Sequence, residues 1–441
     1  MSELVWKPAP DAREQIDAAR SLFRETYGSE PWAVFSAPGR VNLIGEHVDY
    51  NGGTVVPLAL PHRTYVAVAP REDRRVRVTS AEEPGDPVVT NPDDVAPGRV
   101  HGWTSYVFGV PWAMAHESLG SGANGVEIPG ADLAICSSVP LGAGLSSSAA
   151  LECSVALAFD ALASREEADR PLLASSDEGR ARLATACILA ENEIAGASTG
   201  GMDQSISLRA QEGSVLTIDC RDFSSRPLQI DVASAALSLL VIDTRAPHRL
   251  VDGQYAQRRE GCDSAARALD VPTLRDALDE APTDDDVQRL LREWDAAVES
   301  GTRDIPDGHT EASMRGLVRH VWTEVLRTQK CVGLFADAEP PAGDPAWASL
   351  GEILNGSHDS LRDDYRVSSP ELDAAVDAAR TAGALGARMT GGGFGGSAIA
   401  LVRREQMEAV ASAVADAFAD AGFAPPEFLE ALPSEAARRD V

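Results

Sequence analysis

Residues 140–152 read Pro-Leu-Gly-Ala-Gly-Leu-Ser-Ser-Ser-Ala-Ala-Leu-Glu, and the patterns on either side leave them one local structure. Upstream, Leu133, Ile135 and Val139 keep a period of two, as in a half-buried strand. Downstream, Leu151, Val155, Phe159 and Leu162 fall on one face of a helix. The stretch is therefore a strand, a glycine turn and a helix start. Gly142 and Gly144 let backbone approach a ligand closely, and Ser146, Ser147 and Ser148 sit where a helix has unpaired N–H groups. Such a turn can cradle phosphate, although taken alone it also fits an ordinary capped helix. No Lys stands where a Walker-type loop places one, and the chain holds only Lys7 and Lys330. Positive charge at this turn has to come from backbone dipoles, a metal ion or arginine.

The length of 441 residues sets a prior of roughly two to three domains, and 44% hydrophobic residues supply core material for a globular chain. Lys and Arg number 39 against 68 Asp and Glu, a net charge of −29. That balance argues against nucleic acid or an anionic membrane as a partner. The six cysteines (136, 153, 187, 220, 262 and 331) are widely spaced and form no metal-ligand cluster, which suggests reduced thiols. The first twenty residues lack a signal-peptide core, and no run approaches 18 apolar residues. A cytoplasmic protein is expected.

Taken in order, residues 11–27 suggest a helix with Ile16, Ala19, Leu22 and Phe23 on one face and a stop at Gly28. A short apolar run then breaks at Pro38-Gly39 and delivers Arg40, Asn42, Glu46, His47, Asp49 and Asn51 within twelve residues. Hydroxyl-rich ligands such as sugars need acceptors and donors in fixed positions, which this cluster offers. Arg40, set on a tight turn, can meet phosphate oxygens in a forked geometry. Residues 54–79 alternate as strands with a turn at 70–75, residues 82–98 read as an exposed loop, and residues 103–119 read as a helix.

A further helix is expected over 177–194, with Leu183, Cys187, Ile188 and Ile194 on one arc. Glu191 lies inside that arc, about 80° round from Leu183, while Glu193 lies on the far side. A carboxylate on an apolar face is a metal ligand, a network partner or a boundary residue bent out to solvent. Asp203 follows the pair Gly200-Gly201, where backbone can approach a ligand, although such an Asp often only caps a turn. Residues 215–219 and 237–243 read as strands, and His248, Arg249 and Tyr255 lie on a loop and helix start. Residues 261–327 are helical and charge-rich, with breaks at Pro282 and over 301–308. Ser369-Pro370 opens another helix. Residues 389–397, Met-Thr-Gly-Gly-Gly-Phe-Gly-Gly-Ser, then hold five glycines in six positions before a strand at 398–402. So much glycine between packed elements implies close contact with a ligand or another loop.

Residues 37–53, 140–152 and 389–397, in this order, resemble three stretches of the galactokinase branch of the GHMP small-molecule kinase family. The likeness extends through 200–205, the region 248–255 and 350–373. It implies an α+β fold of two lobes, an N-terminal lobe like ribosomal protein S5 domain 2 (1–215) and a ferredoxin-like C-terminal lobe (216–441), with the active site in the cleft. It further implies that Gly142, Ala143, Gly144, Leu145, Ser146, Ser147 and Ser148 hold the phosphates of ATP, and that Ser148 and Glu191 bind Mg²⁺. Glu46, His47, Asp49, Gly200, Asp203 and Tyr255 match sugar-contacting positions, Asp203 the proposed base and Arg40 the residue that stabilises the transition state. The implied reaction is phosphorylation of D-galactose at its C1 hydroxyl, the first step of galactose catabolism. A kinase of N-acetylgalactosamine or arabinose, or a silent galactose sensor, would carry similar stretches. Val48, Gly201 and Gly392 depart from the usual residues of the family and bear on fine sugar preference. A monomer is expected, a dimer remaining open.

Overall fold

The alternation that follows the polar cluster becomes the spine of a large sheet. In a computed structural model, which describes residues 4–116, 128–166, 170–246, 251–301, 305, 308–336 and 339–441, the chain opens with β1 (Val5–Trp6), α1 (Ala12–Tyr27), β2 (Ala33–Asn42), β3 (Thr54–Val55), β4 (Pro57–Arg71), β5 (Val76–Ser80) and β6 (Val88–Thr90). It continues through α2 (Thr104–His116), β7 (Gly130–Ser137), α3 (Ser147–Glu166), α4 (Asp177–Leu189), α5 (Met202–Arg209), β8 (Val215–Asp219), β9 (Ser224–Leu228) and β10 (Leu237–Asp243). Then come α6 (Val251–Ala268), α7 (Asp284–Glu299), α8 (Glu311–Phe335), α9 (Pro345–Ser360), α10 (Pro370–Thr381), β11 (Gly386–Thr390), β12 (Ser397–Arg403), α11 (Met407–Ala421), β13 (Glu427–Ala431) and β14 (Arg438–Arg439).

One six-stranded sheet runs β14-β2-β4-β7-β5-β6. Along β4, Val66 and Val68 pack into the core beneath α2 to α4, while Tyr65 and Ala67 meet Ala19 and Phe23 of α1 on the other face. With both faces covered, β2 is buried along its whole length. Helix α1 is bounded as its sequence suggests. Asp11 accepts from the N–H groups of Arg13 and Glu14, and Gly28 closes the helix in the left-handed region.

A five-stranded sheet, β1-β13-β10-β12-β11, belongs to the second half, and β3-β8-β9 form a small third sheet. The ends of the chain cross over. β1 runs parallel to β13 in the C-terminal sheet, and β14 pairs antiparallel with β2 in the N-terminal one. Arg63 of β4 secures that second crossing by donating to the carbonyls of Glu435 (2.9 Å) and Ala436 (2.8 Å) and to Ser36 Oγ (2.9 Å).

Two local expectations change. Residues 82–98 are not one loop, since Val88–Thr90 pair with β5 and Pro92–Asp94 make a 3₁₀ turn capped by Asn91. The helix expected over 177–194 is α-helical only to Leu189 and finishes as a π-helical turn, Ala190–Ala195. Residues 117–119, His248 and Arg249 lie outside the described residues. The cysteines are all buried and unpaired, and no helix among the described residues is long and apolar enough to cross a membrane.

Arg63→Met keeps the aliphatic stem but strips its buried acceptors of their donor. It is expected to cost about 2–4 kcal/mol of unfolding free energy, read from urea denaturation followed by tryptophan fluorescence.

Candidate active site

After β7 the chain turns through Gly142 and Gly144, both at φ 71°, and through Ser146 at φ 59°, before α3 starts at Ser147. This turn rests on two other segments. At Gly39 of β2 a Cβ would lie 2.6 Å from the Leu145 carbonyl oxygen, so only glycine lets the strand pass beneath the turn, and Arg40 N donates to that oxygen at 3.0 Å. From the far side the stretch 391–397 packs up against it. A Cβ at Gly391 would fall 2.9 Å from Gly144 O, and Ser397 Oγ donates to Ala143 O at 2.7 Å. Gly391 and Gly396 are thus explained by backbone-on-backbone contact with the turn, while a Cβ at Gly393 would collide with Val367 O.

A register shift in the β2–β4 pairing between Pro38 and Arg40 aims the Arg40 side chain across the turn. Its Nε donates to Asp203 Oδ1 at 2.8 Å, its Nη2 to Asp203 Oδ2 at 2.7 Å and its Nη1 to Gly144 O at 2.8 Å. Ser146 Oγ donates to Asp203 Oδ2 as well. Asp203 sits in the first turn of α5, two residues after Gly201, which is in the left-handed region. Burial disfavours the charged form of Arg40, but Asp203 and Glu46 outweigh it and leave the guanidinium firmly protonated.

The fork faces a cleft of about 340 Å³. Its walls include Arg40, Glu46, His47, Asp49, Gly142, Gly144, Leu145, Ser146, Ser147, Ser148, Glu191, Asp203 and Tyr255, so the structure brings nearly all the candidate residues together. Two candidates stand behind the wall. Ala143 is buried under the turn, and Gly200 backs the Asp49 carboxylate, where a Cβ would also lie 2.7 Å from Tyr50 N. Burial, with the charges of Asp203 and Glu46, pushes the Asp49 carboxyl up to about 7. Burial likewise raises Glu46, which accepts from Asn42 Nδ2 (3.0 Å) and Gly391 N (3.1 Å) and lies 3.3 Å from Arg388.

Glu191 is buried and Glu193 exposed, as the helix phase suggested. The π turn carries it to the cleft, a usual reason for such a turn to persist. Burial and the Asp203 charge push its carboxyl up to about 7, while hydrogen bonds from Gln204 and Ser148 oppose the rise. Gln204 Nε2 donates to both Glu191 Oε2 (2.5 Å) and Glu152 Oε2 (3.0 Å), chaining a second buried acid to the first. Ser148 and Glu191 offer a hydroxyl and one carboxylate side by side. That all-oxygen donor set fits Mg²⁺, which is commonly held by one or two carboxylates plus substrate phosphates.

Several supports have no counterpart in the reading of the polar cluster. Glu324 of α8 accepts from the N–H groups of Gly45 (3.1 Å) and Glu46 (3.3 Å), from Ser357 Oγ (2.7 Å) and from Arg327 (2.9 Å). Burial alone would raise its carboxyl, but Arg327 and His320 win and hold it at about 2. His320 contacts the Glu46 carbonyl through Nε2 at 3.0 Å, and Arg388 donates to the Asn42 and Leu43 carbonyls at 3.0 Å each. The signal for Glu324 was present. It lies about 20° round the helix from Leu317, an acid on an apolar stripe like Glu191.

Three family models match the chain. The galactokinase galactose-binding signature covers residues 21–70, the GHMP kinases N terminal domain covers 105–211, and the GHMP kinases C terminal model covers 342–420. A galactokinase of Streptomyces coelicolor is 45% identical over 95% of this chain and 97% of its own length. The crystal structure of Lactococcus lactis galactokinase complexed with galactose superposes with a TM-score of 0.79 at 28% identity, covering 96% of this chain and 99% of that one. A Methanococcus jannaschii mevalonate kinase, at 15% identity and a TM-score of 0.56 over 91% of this chain and 98% of that one, shares the fold.

The raised Asp49 pKa has a consequence for stability. Between the ordinary value of 3.8 and about 7 the folded protein binds more protons than the unfolded chain, so this group's contribution is lost as pH rises through that window. Asp49→Asn does not titrate. Its unliganded melting temperature should exceed that of the unsubstituted protein by a margin that grows from pH 5 to pH 8.

Proposed function

The chain belongs to the galactokinase family of GHMP kinases, and from that membership and the cleft geometry we propose that it transfers the γ-phosphoryl group of ATP to the C1 hydroxyl of D-galactose, giving α-D-galactose 1-phosphate and ADP. The observation that carries the reading is the Arg40–Asp203 fork, set between the phosphate turn and the acid-rich wall of Glu46, His47 and Asp49. Phosphoryl transfer asks a protein mainly to position donor and acceptor and to stabilise charge. The fork stands where those two tasks meet.

Under this proposal the turn 142–148 holds the ATP phosphates with the N–H groups of the α3 start. Ser148 and Glu191 hold Mg²⁺, which when bound neutralises charge on the phosphate oxygens. Glu46, His47, Asp49, Asp203 and Tyr255 hold the sugar, and Gly200 contributes by leaving room for the Asp49 carboxylate. Asp203 takes the proton of the C1 hydroxyl. Both its oxygens already accept hydrogen bonds from Arg40 and Ser146, which hold the carboxylate in place for that transfer as the phosphoryl group leaves ADP. Arg40 orients the Asp203 carboxylate and steadies the transferring group.

The same reading takes 1–215 and 216–441 as the two lobes, with β1 and β14 each crossing to the other lobe's sheet. Six buried free thiols support a reducing, cytoplasmic setting, and the same reading takes the protein as a monomer.

The test is Mg²⁺-dependent ADP release with galactose, glucose, N-acetylgalactosamine and arabinose side by side. Turnover is expected with galactose far above the other three, and Asp203→Asn is expected to lower kcat by about 10²- to 10⁴-fold in a protein that still melts cooperatively. Galactose binding without turnover would replace the kinase by a sensor. A preference for another sugar of the panel would move the substrate.

A further inference from the structure

His47 is held at φ 60° by its loop, and its ring is enclosed by aromatic neighbours. Ring centroids lie 4.8 Å away at Tyr365, 5.5 Å at Tyr255 and 6.0 Å at Tyr50. Its Nδ1 meets Tyr50 Oη at 2.8 Å, Tyr50 Oη meets Tyr365 Oη at 2.7 Å, and Tyr365 Oη meets Cys262 Sγ at 3.3 Å. Its Nε2 is buried and has no protein partner, although the residue lines the cleft. A neutral imidazole carries one proton, so what Nδ1 does with Tyr50 decides whether Nε2 is a donor or an acceptor.

Each phenol has one proton and stands between two partners, so the chain has only two consistent orders. In one, the thiol donates to Tyr365, Tyr365 to Tyr50 and Tyr50 to Nδ1, which leaves the imidazole proton on Nε2. In the other, every bond is reversed, and Tyr365 must donate to sulfur. The orders differ at their ends. A bare imidazole nitrogen accepts a phenol proton well, whereas sulfur is a weak acceptor. Burial pushes the Cys262 thiol up to about 12, so it retains its proton at neutral pH. Burial, followed by the charges of His320, Arg258 and Arg388, holds His47 well below its usual range, so its ring is neutral.

We propose that Tyr50, backed by Tyr365 and Cys262, is a positioning residue that fixes His47 as the Nε2–H tautomer and so gives the sugar end of the cleft a hydrogen-bond donor. The need for one is visible in the lining. Glu46 and Asp203 present carboxylates there, which accept from sugar hydroxyls, while the hydroxyl oxygens themselves require donors. This inference rests on the sugar reading above for its purpose but not for its test.

The direct measurement is nitrogen NMR of the ¹⁵N-histidine-labelled, sugar-free protein, with the His47 signals assigned by their loss in His47→Gln. The expected result is a protonated Nε2 and a bare Nδ1. A protonated Nδ1 in the unsubstituted protein would overturn the proposal whatever the protein phosphorylates. In Tyr50→Phe a fraction of His47 should move to the Nδ1–H form, and the galactose KM should rise about tenfold, the worth of one hydrogen bond, while kcat falls much less. Cys262→Ser, with a hydroxyl that still donates to Tyr365, should keep both the tautomer and the KM. A Tyr50→Phe protein with unchanged histidine signals and unchanged galactose KM would also sink the idea. Absence of turnover in all variants, with the tautomer as expected, would instead count against the kinase reading alone.

Discussion

Two parallel hydrogen bonds between Arg40 and Asp203 join segments 163 residues apart, and the active-site architecture depends on them. Taking both charges out of water costs several kcal/mol for each, and their attraction repays that only when geometry and further hydrogen bonds are good. Here they are. The third guanidinium donor goes to Gly144 O, and Ser146 adds a donor to the carboxylate. The pair therefore cannot form unless the β2 irregularity, the 142–146 turn and the start of α5 are all in place. Removing one partner would leave a buried charge in the middle of the cleft.

The second half of the chain supplies the rigidity. Main-chain groups of residues 42–46 are answered by Glu324, His320 and Arg388, and the Glu46 carboxylate by Gly391 N. His47 at φ 60° is held at an energetic cost for a residue with a Cβ, and this dense set of partners offsets it. Local propensity did not build the loop. Contacts spanning nearly 350 residues did, and the same residues that fix it come from α8 and β11, whose positions depend on the C-terminal core.

That division explains what could be read from the sequence. The bounds of α1 followed from Asp11 and Gly28, and the exposure difference between Glu191 and Glu193 followed from helical phase, because both are local facts of periodicity and capping. The strand, glycine turn and helix start around residues 142–146 were legible for the same reason. The π turn at 190–195 was not, since no change of periodicity or cap at Leu189 marks its start. Tyr50 and Tyr365, 315 residues apart, carry no signal of their contact, and Arg388 within a buried strand gives no hint that its partners are carbonyls of the first loop. Ala143 and Gly200 show the limit of carrying roles by resemblance. They belong to the right stretches, yet Ala143 is buried under the turn and Gly200 packs against the Asp49 carboxylate, so their side-chain positions do not line the cleft.

The composition of the cleft sets its charge economy. Glu46, Asp49, Glu191 and Asp203 all line it, with Glu152 behind, whereas among the described residues that line it Arg40 is the one cation and is already committed to Asp203. The two lysines are elsewhere, Lys7 beside Glu427 and Lys330 beside Asp284. Adding a polyphosphate to such a surface would be strongly unfavourable if the acids kept full charge and nothing compensated. Three features reduce the conflict. Burial leaves Asp49 and Glu191 partly protonated near neutral pH, with both carboxyls at about 7. The start of α3 directs unpaired N–H groups at the turn. Ser148 and Glu191 leave an oxygen-lined position suited to a divalent cation, so nucleotide and metal ion are expected to bind better together than either does alone, because each relieves the charge that the other must face.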